Sequence, residues 1–271
     1  MIRIAFINNK GGVGKTTSAY NIASYFHLKK YKVLLVDLDA QANLTLYAKL
    51  YPNQLKKTIY DLMHKATSFG EEVTKEDIES VIQKSDSGMD IIPANIGAER
   101  INQDLLHVIN REGILSSILS IVEDDYDVCV IDSPPNLGLA ASNGIAASDF
   151  VFIPIKAGPW EILGMRMLAG VIRALRAVSK RDIKIGGTFF TQFVQMYRVS
   201  KDMEEALTEN NFKLLETRIS NSVKVIGAAR ENKSIFEYAR KSDAPYKDYE
   251  NLAKEIISIT GIKKSTKRKA K

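Results

Sequence analysis

The sequence predicts an α/β protein with a doubly wound, mostly parallel sheet and helices on both faces. Three observations predict it. Short apolar runs alternate with helical segments almost throughout the chain. A glycine-rich stretch separates the first strand-like run from the first helical one. Two further apolar runs end in aspartates, as strands do when their C-terminal ends face a ligand crevice.

The first run, residues 2–7, is β-prone, and Ala19, Ile22, Ala23 and Phe26 then recur at helical spacing. Strands are expected near 2–7, 32–37, 89–93, 127–132, 149–155, 184–191 and 213–219. Helices are expected over 15–29, 98–109, 112–123, 138–147, 160–179, 200–210 and 246–260. No internal repeat or low-complexity linker divides residues 1–262, which read as one domain. Residues 41–88 are polar and highly charged, and read as helices and loops inserted on the ligand-facing side.

Composition narrows the function classes. A chain of 271 residues with 45% hydrophobic content can build one large core. No run approaches the roughly 20 apolar residues that span a bilayer. The chain enters its first strand at once, so no signal peptide is expected and a cytoplasmic protein is the simplest reading. The single cysteine, Cys129, sits in an apolar run, which excludes a disulfide framework or a cysteine metal site within one chain. The formal net charge is +6, yet residues 263–271 carry six bases and no acid. Without that tail, 32 bases face 32 acids. The tail reads as a disordered, solvated basic segment, either a polyanion contact or a solubilising end.

Residues 8–17, Asn8-Asn9-Lys10-Gly11-Gly12-Val13-Gly14-Lys15-Thr16-Thr17, carry the chemistry. A phosphate-binding loop follows G-x-x-x-x-G-K-[ST], whose glycines let backbone N–H groups turn toward phosphates. Gly14-Lys15-Thr16 ends that pattern, but Asn9 replaces its first glycine and Lys10 follows immediately. The loop precedes a helix N-terminus, where unpaired N–H groups and the helix dipole attract anions. Lys15 neutralises β/γ-phosphate charge in this reading, and the Thr16 hydroxyl ligates Mg²⁺. Asp37 and Asp39 end the second apolar run and would point toward Mg²⁺ and the γ-phosphate. Asp132 ends another such run and reads as the acid holding a Mg²⁺-bound water. The alternative for these acids is that they cap the turns that follow.

KGGVGKTT, VDLDAQANLT and VIDSPPNLG, in this order, resemble the ParA/Soj group of the ParA/MinD superfamily, over about nine-tenths of the chain. The resemblance implies a P-loop NTPase fold of the deviant Walker A type. It also implies weak, partner-stimulated ATP hydrolysis with Mg²⁺, and an ATP-bound sandwich homodimer. Lys10 becomes the lysine that reaches into a partner's site, Lys15 the loop lysine and Asp39 the residue orienting the attacking water. Thr16 and Asp132 become the metal-site residues, with Asp37 beside them. Gly11, Gly12, Val13, Gly14 and Thr17 complete the ATP contacts. Two positions depart from the family pattern: Trp160 stands where tyrosine is expected, and Leu163 where glutamate is expected. Gln192 can hydrogen-bond an adenine edge or lie in the core as a buried amide.

Short members of this family bind double-stranded DNA non-specifically and are released through a ParB-like partner, so a nucleoid-associated protein is implied. Arg166, Arg173, Arg176 and Lys180 fall within roughly 80° on a helix. Lys224, Arg230, Lys233, Arg240 and Lys241 form a second basic cluster. With the loop starting at residue 8, no N-terminal helix-turn-helix is expected. The competing class is a MinD-like membrane-associated positioning ATPase. That class wants a C-terminal amphipathic helix, whereas residues 263–271 offer no bulky apolar side chain. No stable membrane association is therefore expected. A nitrogenase iron-protein role, an iron–sulfur carrier and a tyrosine kinase of this branch lack, respectively, the cysteines, the CxxC motif and the tyrosine-rich tail they require.

Overall fold

The computed structural model describes residues 1–158, 161–179, 181–194, 198–210 and 212–264. Among these, seven strands form one sheet: β1 (Ile2–Phe6), β2 (Val33–Asp37), β3 (Gln83–Lys84), β4 (Asp90–Ile92), β5 (Val128–Asp132), β6 (Phe150–Ile155) and β7 (Lys184–Phe190). Their order is β3-β4-β2-β5-β1-β6-β7, parallel except for β3 at one edge. The helices begin with α1 (Lys15–Leu28), α2 (Asn43–Tyr47), α3 (Ile59–Lys65), α4 (Lys75–Val81), α5 (Ile101–Asp104) and α6 (Ile114–Ile121). They continue with α7 (Leu139–Ala146), α8 (Glu161–Val178), α9 (Arg198–Glu209), α10 (Val223–Arg230), α11 (Ile235–Tyr238) and α12 (Ala244–Thr260).

Strand side chains alternate between two buried layers, because successive Cβ atoms point to opposite faces. Ile4, Phe6, Val33, Leu35, Val128, Val130, Phe152 and Phe189 pack with α1, α2, α11 and α12. Ala5, Leu34, Val36, Cys129, Ile131, Val151 and Ile153 pack with α3 through α8. Both faces are covered, so the strands read as continuous apolar runs. The crossovers from β1 and β5 leave these neighbouring strands in opposite directions, toward β2 and β6. That reversal opens a crevice beyond their C-terminal ends.

Most expected elements form within a residue or two, and two readings are corrected. Residues 213–219 form no strand, only isolated bridges pairing Thr188 with Leu214 and Phe193 with Ser220. Leu215 and Ile219 still donate to Thr188 O and Phe190 O. Between them, Glu255 of α12 accepts the Glu216 and Thr217 N–H groups, and after them Asp248 accepts Ser220 N–H, so no continuous ladder forms. The helix expected over 98–109 shortens to a 3₁₀ turn, Ile96–Arg100, and the single turn of α5. Asn110 in the left-handed region (φ 54°) and the Arg111 bond to Leu106 O turn the chain away. Residues 41–88 hold α2, α3 and α4 with loops between them, and Ile59, Leu62, Met63, Ile78 and Val81 from this segment pack into the sheet's core. Helices α10 and α11 had no counterpart in the sequence reading. The basic tail lies outside the described residues, apart from Lys263 and Lys264.

Helix α12 buries Tyr249, Leu252, Ala253 and Ile256 on the α1 side of the sheet. Leu252→Ala is expected to cost about 2–5 kcal/mol of stability, from lost burial plus the cavity left behind. Urea unfolding followed by circular dichroism checks this.

Candidate nucleotide site

The loop between β1 and α1 sits at the crevice, and its shape is set by backbone that only glycine adopts easily. Gly12 and Gly14 lie in the left-handed region, at φ 71° and 82°. Three side chains hold the loop. Asn8 Nδ2 donates to Pro154 O at 2.8 Å, and its Oδ1 accepts Lys10 N–H at 3.0 Å. Thr191 Oγ1, at the end of β7, lies 2.9 Å from Val13 O, to which it donates. Lys15 Nζ donates to Lys10 O at 2.8 Å, so the lysine folds under its own loop. Thr16 and Thr17 follow in the first turn of α1.

Asp37 and Asp132 are direct cross-strand neighbours on β2 and β5, and both are fully buried. Their solvation differs sharply. Asp37 Oδ1 accepts Asp39 N–H, and Oδ2 accepts both the N–H and the hydroxyl of Thr45. Burial pushes the Asp37 carboxyl up to about 6, against the lowering effect of these bonds. In this structure the Asp37 oxygens anchor the segment after β2, as the capping alternative expects. Both Asp132 oxygens, by contrast, are buried without a hydrogen-bond partner. Burial and the adjoining Asp37 raise the Asp132 carboxyl well above the carboxylate range, with Thr16 and Lys15 pulling the other way. Burial in turn lowers Lys15, while Asp132 and Asp39 raise it. An orphaned acid beside a threonine hydroxyl is an oxygen donor set suited to a hard divalent cation and its waters. Thr16 and Asp132 therefore fit Mg²⁺.

Asp39 is nearly buried and accepts Gln41 N–H at 3.0 Å. Ser133, after Asp132, donates to Phe6 O at 2.9 Å, and exposed Pro135 approaches Gly11. Asp39, Asp132, Lys15 and the glycine loop thus meet at one end of the sheet, the arrangement that phosphoryl chemistry requires.

The family model for an AAA domain (AAA_31) matches residues 1–185. The chain is 33% identical over 260 residues to the chromosome-partitioning ATPase Soj of Treponema pallidum (strain Nichols), covering 95% of this chain and 98% of that one. The chain belongs to the ParA/Soj family of ATPases. It is also 30% identical over 257 residues to the sporulation initiation inhibitor protein Soj of Bacillus subtilis, covering 94% and 98% of the two chains. A putative plasmid partition protein from Borrelia burgdorferi B31, solved bound to AMPPNP, superposes with a TM-score of 0.75. The two are 26% identical, over 95% of this chain and 98% of that one.

The other residues singled out in the sequence are placed as follows. Lys10 turns back within its own chain, its Nζ 3.1 Å from Glu161 Oε1. Gln192 is neither buried nor free; it is exposed, and its Nε2 donates to Gly12 O at 3.1 Å. Arg166, Arg173 and Arg176 share an exposed face of α8, but Arg166 bonds Asn210 and Arg176 bonds Ile183 O. Lys180 and Trp160 lie outside the described residues. Lys224 pairs with Asp243, and Lys233 with Glu231, whereas Arg230 is exposed. Sequence reasoning missed Thr191 and Glu161. A hydroxyl at a strand end gives no local signal, but Glu161 stands two residues before Leu163, where the family's expected glutamate is absent.

A carboxyl whose pKa is raised in the fold costs stability as pH climbs from its unfolded value toward its folded one, so at neutral pH that cost is in place. Asp132→Asn is therefore expected to stabilise the nucleotide-free protein, by about 2–4 °C in Tm for each kcal/mol relieved. Differential scanning calorimetry reads the sign.

Proposed function

We propose that this chain is a ParA-type ATPase that partitions a plasmid or chromosome, hydrolysing ATP with Mg²⁺ and binding DNA as a dimer. The observation that carries this reading is the Asp132 carboxylate, buried and unpartnered beside Lys15 and Thr16 at the mouth of the glycine loop. The Soj relatives and the partition protein bound to AMPPNP support it.

In this reading the loop's N–H groups hold the phosphates of ATP, and Lys15 leaves Lys10 O to neutralise their charge. Thr16 and, through a water, Asp132 would hold Mg²⁺, which would supply positive charge against the phosphates. Asp39 orients the attacking water in line. Lys10 of each protomer completes the other's site, tying dimerisation to ATP. The apolar Leu163 and Met167, both 57% exposed one turn apart on α8, suit a surface covered by a second protomer. The ATP dimer then holds DNA non-specifically, and a ParB-like partner stimulates hydrolysis and release.

The basic surface supports DNA binding in reduced form. Arg173 and Arg230 are exposed, while Lys224 and Lys233 already face acids. Each phosphate contact contributes about −0.9 to the salt slope, and dimerisation doubles the contacts. The MinD-like alternative is weakened by α12. Leu252 and Ile256, two of its apolar residues, are fully buried against the sheet and not available to a membrane. No helix among the described residues is long and apolar enough to cross a membrane.

Lys15→Ala is expected to abolish phosphate release from ATP; turnover within about twofold of the parent overturns the assignment of the loop. Asp39→Ala is expected to keep ATP and remain on DNA. Fluorescence anisotropy with labelled duplex, alongside liposome co-sedimentation, tests this in ADP, ATP and a non-hydrolysable analogue. ATP-dependent liposome binding without DNA binding selects the membrane alternative.

A further inference from the structure

We infer that Glu161 is a positioning residue for Lys10: it holds that lysine in cis and thereby sets how readily two protomers pair around ATP. The inference rests on the reading of Lys10 as the trans-acting lysine. Glu161 occupies the first turn of α8, and its side chain is 6% exposed against 33% for Lys10. The Lys10 backbone is fixed separately, its N–H by Asn8 and its carbonyl by Lys15. Only the side chain is left to choose a direction, and it points to α8 of its own chain. The helix is seated closely on the loop. A Cβ added at Gly164 would come within 2.7 Å of Asn9 Oδ1, so the glycine lets this turn approach the residue next to Lys10.

A lysine paired in this way must leave Glu161 before it can meet a phosphate elsewhere. One carboxylate competes with the several negative charges of a triphosphate, so the exchange favours the phosphate only when a nucleotide is present. Glu161 therefore opposes pairing of nucleotide-free protomers and makes ATP the condition for it. Each dimer releases two such contacts, so their effects on the dimer's Kd multiply.

The test is Glu161→Gln, which keeps the side chain's shape and removes its charge, in the full chain. Light scattering across protein concentration, with a saturating non-hydrolysable ATP analogue, reads the midpoint of dimerisation. The expected midpoint falls about five- to thirtyfold, the effect of losing two modest ion pairs. Affinity for a fluorescent ATP analogue, measured on dilute monomer, is expected to stay unchanged. Glu161→Asp, which keeps the charge on a shorter arm, is expected to fall between parent and Gln. Adding Lys10→Ala is expected to return pairing to the level of Lys10→Ala alone, and the charge-keeping Glu161→Asp separates an effect of charge from a merely structural one. A midpoint within twofold of the parent, a midpoint that rises, or a gain that survives Lys10→Ala overturns the inference. Lys10→Ala alone separates the two levels. If it leaves the parent's dimer intact, the trans-lysine reading fails. If it abolishes pairing while Glu161→Gln changes nothing, only the role of Glu161 fails.

Discussion

Two aspartates buried side by side set the terms for the surrounding structure. Asp37 and Asp132 lie opposite one another on adjacent parallel strands, without exposure to water. Two like charges at that separation, in that environment, need either compensation or a proton. The protein treats them unequally. Asp37 receives three donors from the chain that follows it, while Asp132 receives none. One acid becomes a structural anchor and the other an unmet demand for positive charge, and the ligand site follows from that asymmetry.

The anchor reaches further than its own turn. Thr45, which bonds Asp37 through both backbone and hydroxyl, also accepts Ala94 N–H through the same oxygen, just beyond β4. Two residues on, Tyr47 donates to the Thr17 hydroxyl at 3.3 Å and stacks on Tyr20. Asn21, one turn farther along α1, bonds Thr17 O and accepts Ile235 N–H from α11. The segment after β2, the phosphate loop and the helices behind it are thus joined by bonds between polar groups in an apolar layer. Such bonds are expensive to leave unmade.

Much of this was legible in the sequence, for identifiable reasons. The sheet was readable because strands covered on both faces are continuous apolar runs, and α1 because its apolar residues follow helical spacing. The loop was readable because glycines, lysine and threonine at fixed spacing leave little other use. The roles of Asp37 and Asp132 were not separable, since both end a buried run and only the threonine eight residues after Asp37 tells them apart. The lost strand at 213–219 was hidden for a similar reason: its competitors, Asp248 and Glu255, lie about 30 to 40 residues away on another helix. The Lys10–Glu161 contact spans 151 residues. Local pattern carries local structure; it carries polar pairing across the fold poorly.

The carboxylates of α12 that displace a strand also shape how this molecule meets its copies. A strand edge is a template for another chain, and proteins blunt such edges. Beside β7 the chain runs through single bridges whose intervening N–H groups are taken by Glu255 and Asp248. At the opposite edge β3 is two residues long and runs against its neighbour. Among the described residues, both borders are thus blunted in the way that disfavours growth of a second sheet on free backbone.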